Sequence, residues 1–186
     1  MAGKPTFGRY TEIPYDEMTP EQQEAYQSLL ETRGGRLPGP TKIYVQNPKL
    51  AKVIGPFGGY FRKGYSLSER EREIAVCVVT SHWHSVYPTS AHEGHAKAAG
   101  LPNDKVEAIL SGLPTSFDDK REQIVYEIAT CLINSRWVSR GLYDRAVEVL
   151  GHVGITDVIT LMGHYTSTSM TLAFYAVPSG ATGMAR

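Results

Sequence analysis

Four of the six histidines in this chain, His82, His84, His92 and His95, fall in one short stretch between Ser81 and Leu101. Trp83, Tyr87 and Glu93 are interleaved with them. Imidazole titrates near neutral pH, so such a group can move protons, hold an anion or ligate a metal. Upstream, Glu73 stands where a charged helix start, Glu69 to Arg72, meets the apolar run Ile74 to Val79. Helical spacing puts Glu73, Cys77, Thr80 and His84 roughly along one face. A carboxylate at the edge of an apolar face is partly desolvated, which raises its pKa and suits it to exchange protons with a histidine. First-turn acids are also common on solvated helix starts, so Glu73 reads equally well as a residue facing water.

The pair His92 and His95, three residues apart, shares one helical face and turns Glu93 away. If that helix begins just before them, its free backbone N–H groups are available to an anion. One of the two, His95 rather than His92, also reads as a surface or packing residue. The four histidines offer a conceivable zinc set, but no His-Glu-x-x-His signature is present, and neither a metal nor an organic cofactor is expected. Further along, Met162-Gly163-His164-Tyr165-Thr166-Ser167-Thr168-Ser169-Met170 is rich in hydroxyls for a stretch flanked by apolar residues. Buried hydroxyls need partners, so His164 and Tyr165 belong either to a polar pocket, with Trp83, or to a helix–helix contact.

The elements that must carry these residues are helices cut by Gly/Pro punctuation. Thr19-Pro20-Glu21-Gln22 is a capping box with Pro at the first helical position, and that helix should end by Gly34-Gly35. Gly35 to Thr41 reads as a loop. Asn47-Pro48 opens a weak helix interrupted by Gly55-Pro56 and Gly58-Gly59. Ser68-Glu69-Arg70-Glu71 is a second capping box, opening a strong helix that runs to His82. Tyr87-Pro88 predicts a break, with Thr89 or Ser90 capping the next helix, which stops at Gly100. Short and long helices follow from Pro102 to Gly112 and from Ser116 to Ser135. An amphipathic helix over Leu142 to Leu150 stops at Gly151, and Thr156 caps a last helix to about Tyr175. The pattern is an all-α protein of seven or eight helices in a single compact domain over residues 1–186, with residues 1–18 as an N-terminal arm.

Bulk properties narrow the partners. Lys plus Arg equal Asp plus Glu at 19 each among 186 residues, with no basic run, so neither nucleic acid nor an anionic membrane surface is implied. Met1 to Tyr10 lacks the apolar stretch of a signal peptide, and no apolar run reads as long enough to span a bilayer. Cys77 and Cys131, far apart and inside helical patterns, read as reduced residues of a cytoplasmic protein.

Ser68-x-Arg70-Glu71-Arg72-Glu73-Ile74-Ala75-Val76, then His82-Trp83, Tyr87, Ala91-His92-Glu93 and Ala96-x-x-Ala99-Gly100-Leu101, resemble the carboxymuconolactone decarboxylase family. Its wider superfamily includes the alkylhydroperoxidase D type peroxidases. The resemblance covers about residues 38–178, with Gly163-His164-Tyr165 and Met170-Thr171-Leu172 resembling the last core helix. It implies an alkylhydroperoxidase D-like helical fold, assembly as trimers or hexamers, and a proton relay at Glu73 and His92. Where the peroxidase branch carries Cys-x-x-Cys, this chain has Ser85 and Pro88, so dithiol chemistry is not available there. An acidic residue and Trp common in relatives are here Pro88 and Thr89. His164 and Ala173 replace a frequent Tyr and Asn. The expectation is a cofactor-independent lyase, a decarboxylase of a small carboxylated lactone or similar activated acid. His92 would be the general acid/base, Glu73 its partner, and Tyr87 and His84 would polarise an oxyanion. His95, Trp83, His164 and Tyr165 would contact substrate. An isomerase or other lyase would use the same parts, and a peroxidase-like or a ligand- or metal-binding oligomer is the alternative.

Overall fold

Ser68 accepts from the backbone N–H of Glu71 while the Glu71 side chain accepts from that of Ser68, which closes a capping box and starts helix α4, Glu69–His82. Behind that cap, Ile74 to Thr80 are all buried. A helix apolar around its whole circumference must be surrounded, and α4 is the central helix of its neighbourhood. The structure, a computed structural model, describes residues 4–37, 39–135 and 137–184. Around α4 lie α5 (Val86–Ala98), α6 (Asn103–Leu110) and α7 (Lys120–Asn134), each packed against it. Before it come α1 (Pro20–Thr32), α2 (Thr41–Tyr44) and α3 (Pro48–Tyr60), and after them α8 (Arg140–Phe174). Eight α-helices and one 3-10 turn, Tyr15–Glu17, make the fold all-α, and the described residues include no strand.

The chain divides into two compact units, one of residues 1–65 with 171–186, the other of Ser66–Met170. In the first, α1 and α3 pair around Ala25, Leu29 and Ala51, with Met18, Tyr44 and Val45 packed in the same cluster. Gly55 sits against α1: a Cβ there would lie 3.1 Å from a Leu29 methyl. Residues 4–18, expected as an arm, bury Phe7, Tyr10 and Met18.

In the second unit the start of α4 is clasped to the start of α7 by two ion pairs crossing in opposite senses. Arg70 Nη2 donates to Glu122 Oε2 at 3.0 Å, and Arg121 Nε donates to Glu71 Oε1 at 2.7 Å. Asp157 on α8 accepts from both the backbone N–H and the hydroxyl of Ser66, at 2.8 and 2.7 Å. These contacts fix the entry of α4 before its apolar run begins.

Several boundaries differ from the sequence reading, each for a local reason. α5 begins at Val86 and runs through Pro88 instead of starting after it. Proline is harmless in a first helical turn, where its missing N–H would have no intrahelical partner. α3 likewise continues through Pro56 to Tyr60. α7 begins at Lys120 because Asp119, which accepts from the N–H groups of Arg121 and Glu122, is its cap. The expected loop from Gly35 ends at Thr41, where the short α2 begins, while Pro38 lies outside the described residues. The two helices expected on either side of Gly151 are present: α8 is two helical segments joined at a kink, where Gly151 takes the non-helical φ 64°, ψ 174°. Thr156 does not cap: its hydroxyl donates to the His152 carbonyl one turn back. Counted as one element across that kink, α8 is long and apolar enough by length and composition alone to cross a membrane. Core helices satisfy the same criterion, and Val158, Leu161 and Met162 are buried within the protein.

Candidate active site

Glu73 lies in the second turn of α4, and its side chain is completely buried. Facing water, one of the two sequence readings, is therefore not its state. An isolated buried carboxylate is strongly unfavourable unless paired. Here both oxygens are engaged. His92 Nδ1 lies 2.6 Å from Oε2, and Arg72 Nε donates to Oε1 at 2.8 Å. Burial pushes the Glu73 carboxyl up, but the hydrogen bond and charge of His92, with those of Arg72, outweigh it and hold the group below its ordinary value. The net direction is the reverse of that expected from the apolar run alone, because the run hides the two donors that the tertiary structure supplies. An ionised carboxylate only accepts, so the proton between the pair belongs to His92 Nδ1. Nε2 is then the ring nitrogen left for exchange with a bound molecule.

His92 projects from the middle of α5, because the helix starts at Val86 rather than just before His92. The free N–H groups of a first turn are therefore not beside it, which removes the anion site that a later start implied. One turn on, the His95 ring stands edge-on to His92 with centroids 5.1 Å apart. Desolvation, then the charge of His92, hold the His95 imidazole below its ordinary value, so its neutral form is favoured. Tyr165 of α8 also meets the His92 ring edge-on, 4.8 Å centroid to centroid. The buried His164 ring stands 5.4 Å from that of Tyr165. α4, α5 and α8 thus each contribute to one cluster within residues 66–170.

Cys77, one turn along α4 from Glu73, donates its S–H to the His92 carbonyl at 3.8 Å. Burial first, then the Glu73 and Glu93 charges, push its thiol up to about 12, so it carries no thiolate at neutral pH. Ser85, at the place of a peroxidase cysteine, is buried and donates its hydroxyl to the Ser169 carbonyl at 3.3 Å.

Trp83 and His84 follow the far end of α4 from Glu73. His84 was expected on its face, but α4 ends at His82 and His84 turns into the left-handed region at φ 46°, exposed. Exposed Trp83 stacks edge-on against His82 at 5.6 Å. Tyr87 is half-buried in the first turn of α5. Arg72 was missed as a site residue. Adjacent helical residues point about 100° apart, so an Arg-Glu neighbour pair gives no spacing signal, and only a long side chain folding back makes the contact.

Glu73, His92 and His95 each offer a ligand atom within 4.8 Å of the others, a composition that suits a divalent cation. A cation at Glu73 Oε2 would have to displace the His92 proton while the Arg72 guanidinium holds the other oxygen. The positive charge this carboxylate needs is already supplied by protein side chains. What the cluster does without any added group is hold a proton on a histidine, oriented by a buried anion.

No family model and no curated protein matches this sequence. Solved structures do match. The apo structure of the debrominase Bmp8 superposes with a TM-score of 0.69 at 13% identity, covering 92% of this chain and 91% of that one. A variant of Bmp8 with one cysteine replaced by alanine, in complex with 2,3,4-tribromopyrrole, gives 0.66 at 16% identity over the same shares. At such identities the likeness shows the fold, the alkylhydroperoxidase D-like helical fold expected from the motifs.

Proposed function

We propose that this protein is an enzyme of the carboxymuconolactone decarboxylase kind, working on a small organic molecule by proton transfer through His92. The observation that carries the reading is the buried Glu73 carboxylate, 2.6 Å from His92 Nδ1 and braced from behind by Arg72. Glu73 fixes the tautomer and orientation of the imidazole. That leaves Nε2 to give or take one proton at a substrate atom. Tyr165 and His95 flank the same ring and are placed to touch a bound ligand.

The reaction we favour is decarboxylation of an activated acid, such as a carboxylated lactone. The C–C bond electrons flow into a conjugated carbonyl of the substrate as CO2 leaves, and His92 Nε2–H protonates the resulting enolate carbon. Solvent returns the proton to His92. No external oxidant or reductant is required. An isomerase or another lyase would use the same relay and differ only in the bond broken. The fold neighbour's complex with a small bromopyrrole supports a small-molecule ligand. Thiol-peroxidase chemistry fits less well, since Cys77 is held protonated and Ser85 is a hydroxyl. A homo-oligomer, trimeric or hexameric, is the assembly the resemblance implies.

The test is turnover of chelator-treated protein on a panel of activated carboxylates and lactones, followed by CO2 release and by solvent deuterium incorporation in NMR. His92→Ala should lower the rate by about 10²- to 10⁴-fold with the helical circular dichroism intact. Deuterium exchange without CO2 selects the isomerase form. Equal turnover by His92→Ala overturns the relay.

A further inference from the structure

The far end of α4 builds a second site. A cavity of about 410 Å³ lies within residues 66–170, between α4, α6 and α7. Its walls come from the last turns of three helices: His82 of α4, Ile109 of α6 and Asn134 of α7, with His84 and Leu113 from the turns that follow. No Asp, Glu, Lys or Arg lines it. Cavities of this size match small organic ligands.

Two physical features set its preference. A helix C-terminus carries a partial negative charge of about half an electron, and three of them meet here with no Lys or Arg in the lining to neutralise them. The field in the cavity therefore favours a cation. The second feature is His84. It follows the C-cap of α4 in the left-handed conformation at φ 46°, the place that glycine normally takes after a helix. The backbone there makes the usual closing bonds, His84 N–H to the Ser81 carbonyl at 3.0 Å and Ser85 N–H to that of Thr80 at 3.3 Å. Glycine would make the same turn without strain, so the imidazole is retained at a conformational cost and lines the cavity. Thr130, also in the wall, has a hydroxyl with no hydrogen-bond partner.

From this we propose that the cavity binds a small aromatic ammonium. Its charged group would face the helix C-termini, with ring nitrogens of His82 and His84 accepting from the N–H bonds, and its ring would lie against Ile109 and Leu113. Binding here involves neither Glu73 nor His92, so the proposal stands apart from the relay.

The experiment uses three indoles of similar shape at pH 8.5, where ordinary imidazole is neutral. Tryptamine carries the cation, tryptophol is neutral, and indole-3-acetate is an anion. Binding is read by amide shifts in 15N NMR of the full chain. Tryptamine should perturb the amides of 81–84, 109–113 and 133–134 and bind about fivefold or more tightly than tryptophol, with the acetate weakest. His84→Gly should lower tryptamine affinity about fivefold while the helical circular dichroism and melting temperature hold or rise. Equal binding of the three probes, perturbation confined to other residues, no perturbation at millimolar tryptamine, or unchanged affinity in His84→Gly overturns the proposal.

Discussion

The two ends of α4 use the same residue type in opposite ways. Near its start, His92 is bound to Glu73, a carboxylate removed from water and held ionised by two donors. At its end, about 13 Å further along the axis, His82 and His84 are exposed in a cavity wall with no charged side chain. A count of histidines treats the four as one cluster. Partnership separates them: only His92, bonded to the buried Glu73 carboxylate, is held in one tautomer and one orientation, which general acid/base chemistry requires.

That contrast breaks down if the buried end tolerates truncation as easily as the exposed one. Glu73→Ala leaves Arg72 and His92 facing an uncompensated site, and should destabilise the fold by about 3–5 kcal/mol in chemical denaturation. His82→Ala, on an exposed side chain, should stay within about 0.5 kcal/mol. Similar losses for both would mean that the Glu73 network is not held as the distances indicate.

Acid sharpens the same comparison. The folded Glu73 value is depressed, so the stability it contributes is present above the ordinary carboxylate range and is lost as pH falls through the folded value. The folded His95 value is depressed too, so its contribution is complete above about pH 6.5 and declines as pH falls below that. Stability should therefore drop in two stages between neutral pH and pH 3. His95→Gln should remove the earlier stage, and Glu73→Gln the later one. Two unchanged stages in both variants would assign the titrations to other groups.

A smaller effect than that at Glu73 belongs to the strained turn. His84→Gly should stabilise the protein by about 1 kcal/mol by relieving the left-handed backbone, offset in part by greater freedom of the unfolded chain. A destabilisation of that size would show the imidazole making a compensating contact.

Much of the fold was legible in local chemistry. Both capping boxes, Thr19 with Gln22 and Ser68 with Glu71, form as the spacing predicts, because a cap is a contact between residues three apart. The all-round apolar run from Ile74 to Val79 marked the central helix. Boundaries failed where one residue has two permitted roles. Pro88 could break a helix or sit in its first turn.

For the site, the sequence by itself determined which side chains were available: Glu73 beside an apolar run, and His92 and His95 on one helical face. Whether Glu73 met water or His92 depended on how α4 packs on α5, a relation between residues nineteen apart that no local spacing encodes. The state of the carboxyl followed the same logic. Desolvation could be read from neighbouring apolar residues, but the opposing charges of His92 and Arg72 act only once the chain is folded, and they reverse the direction. Local order is a matter of bonds between near neighbours, whereas protonation is set by the sum of everything within a few ångströms. Only the tertiary structure decides what that sum contains.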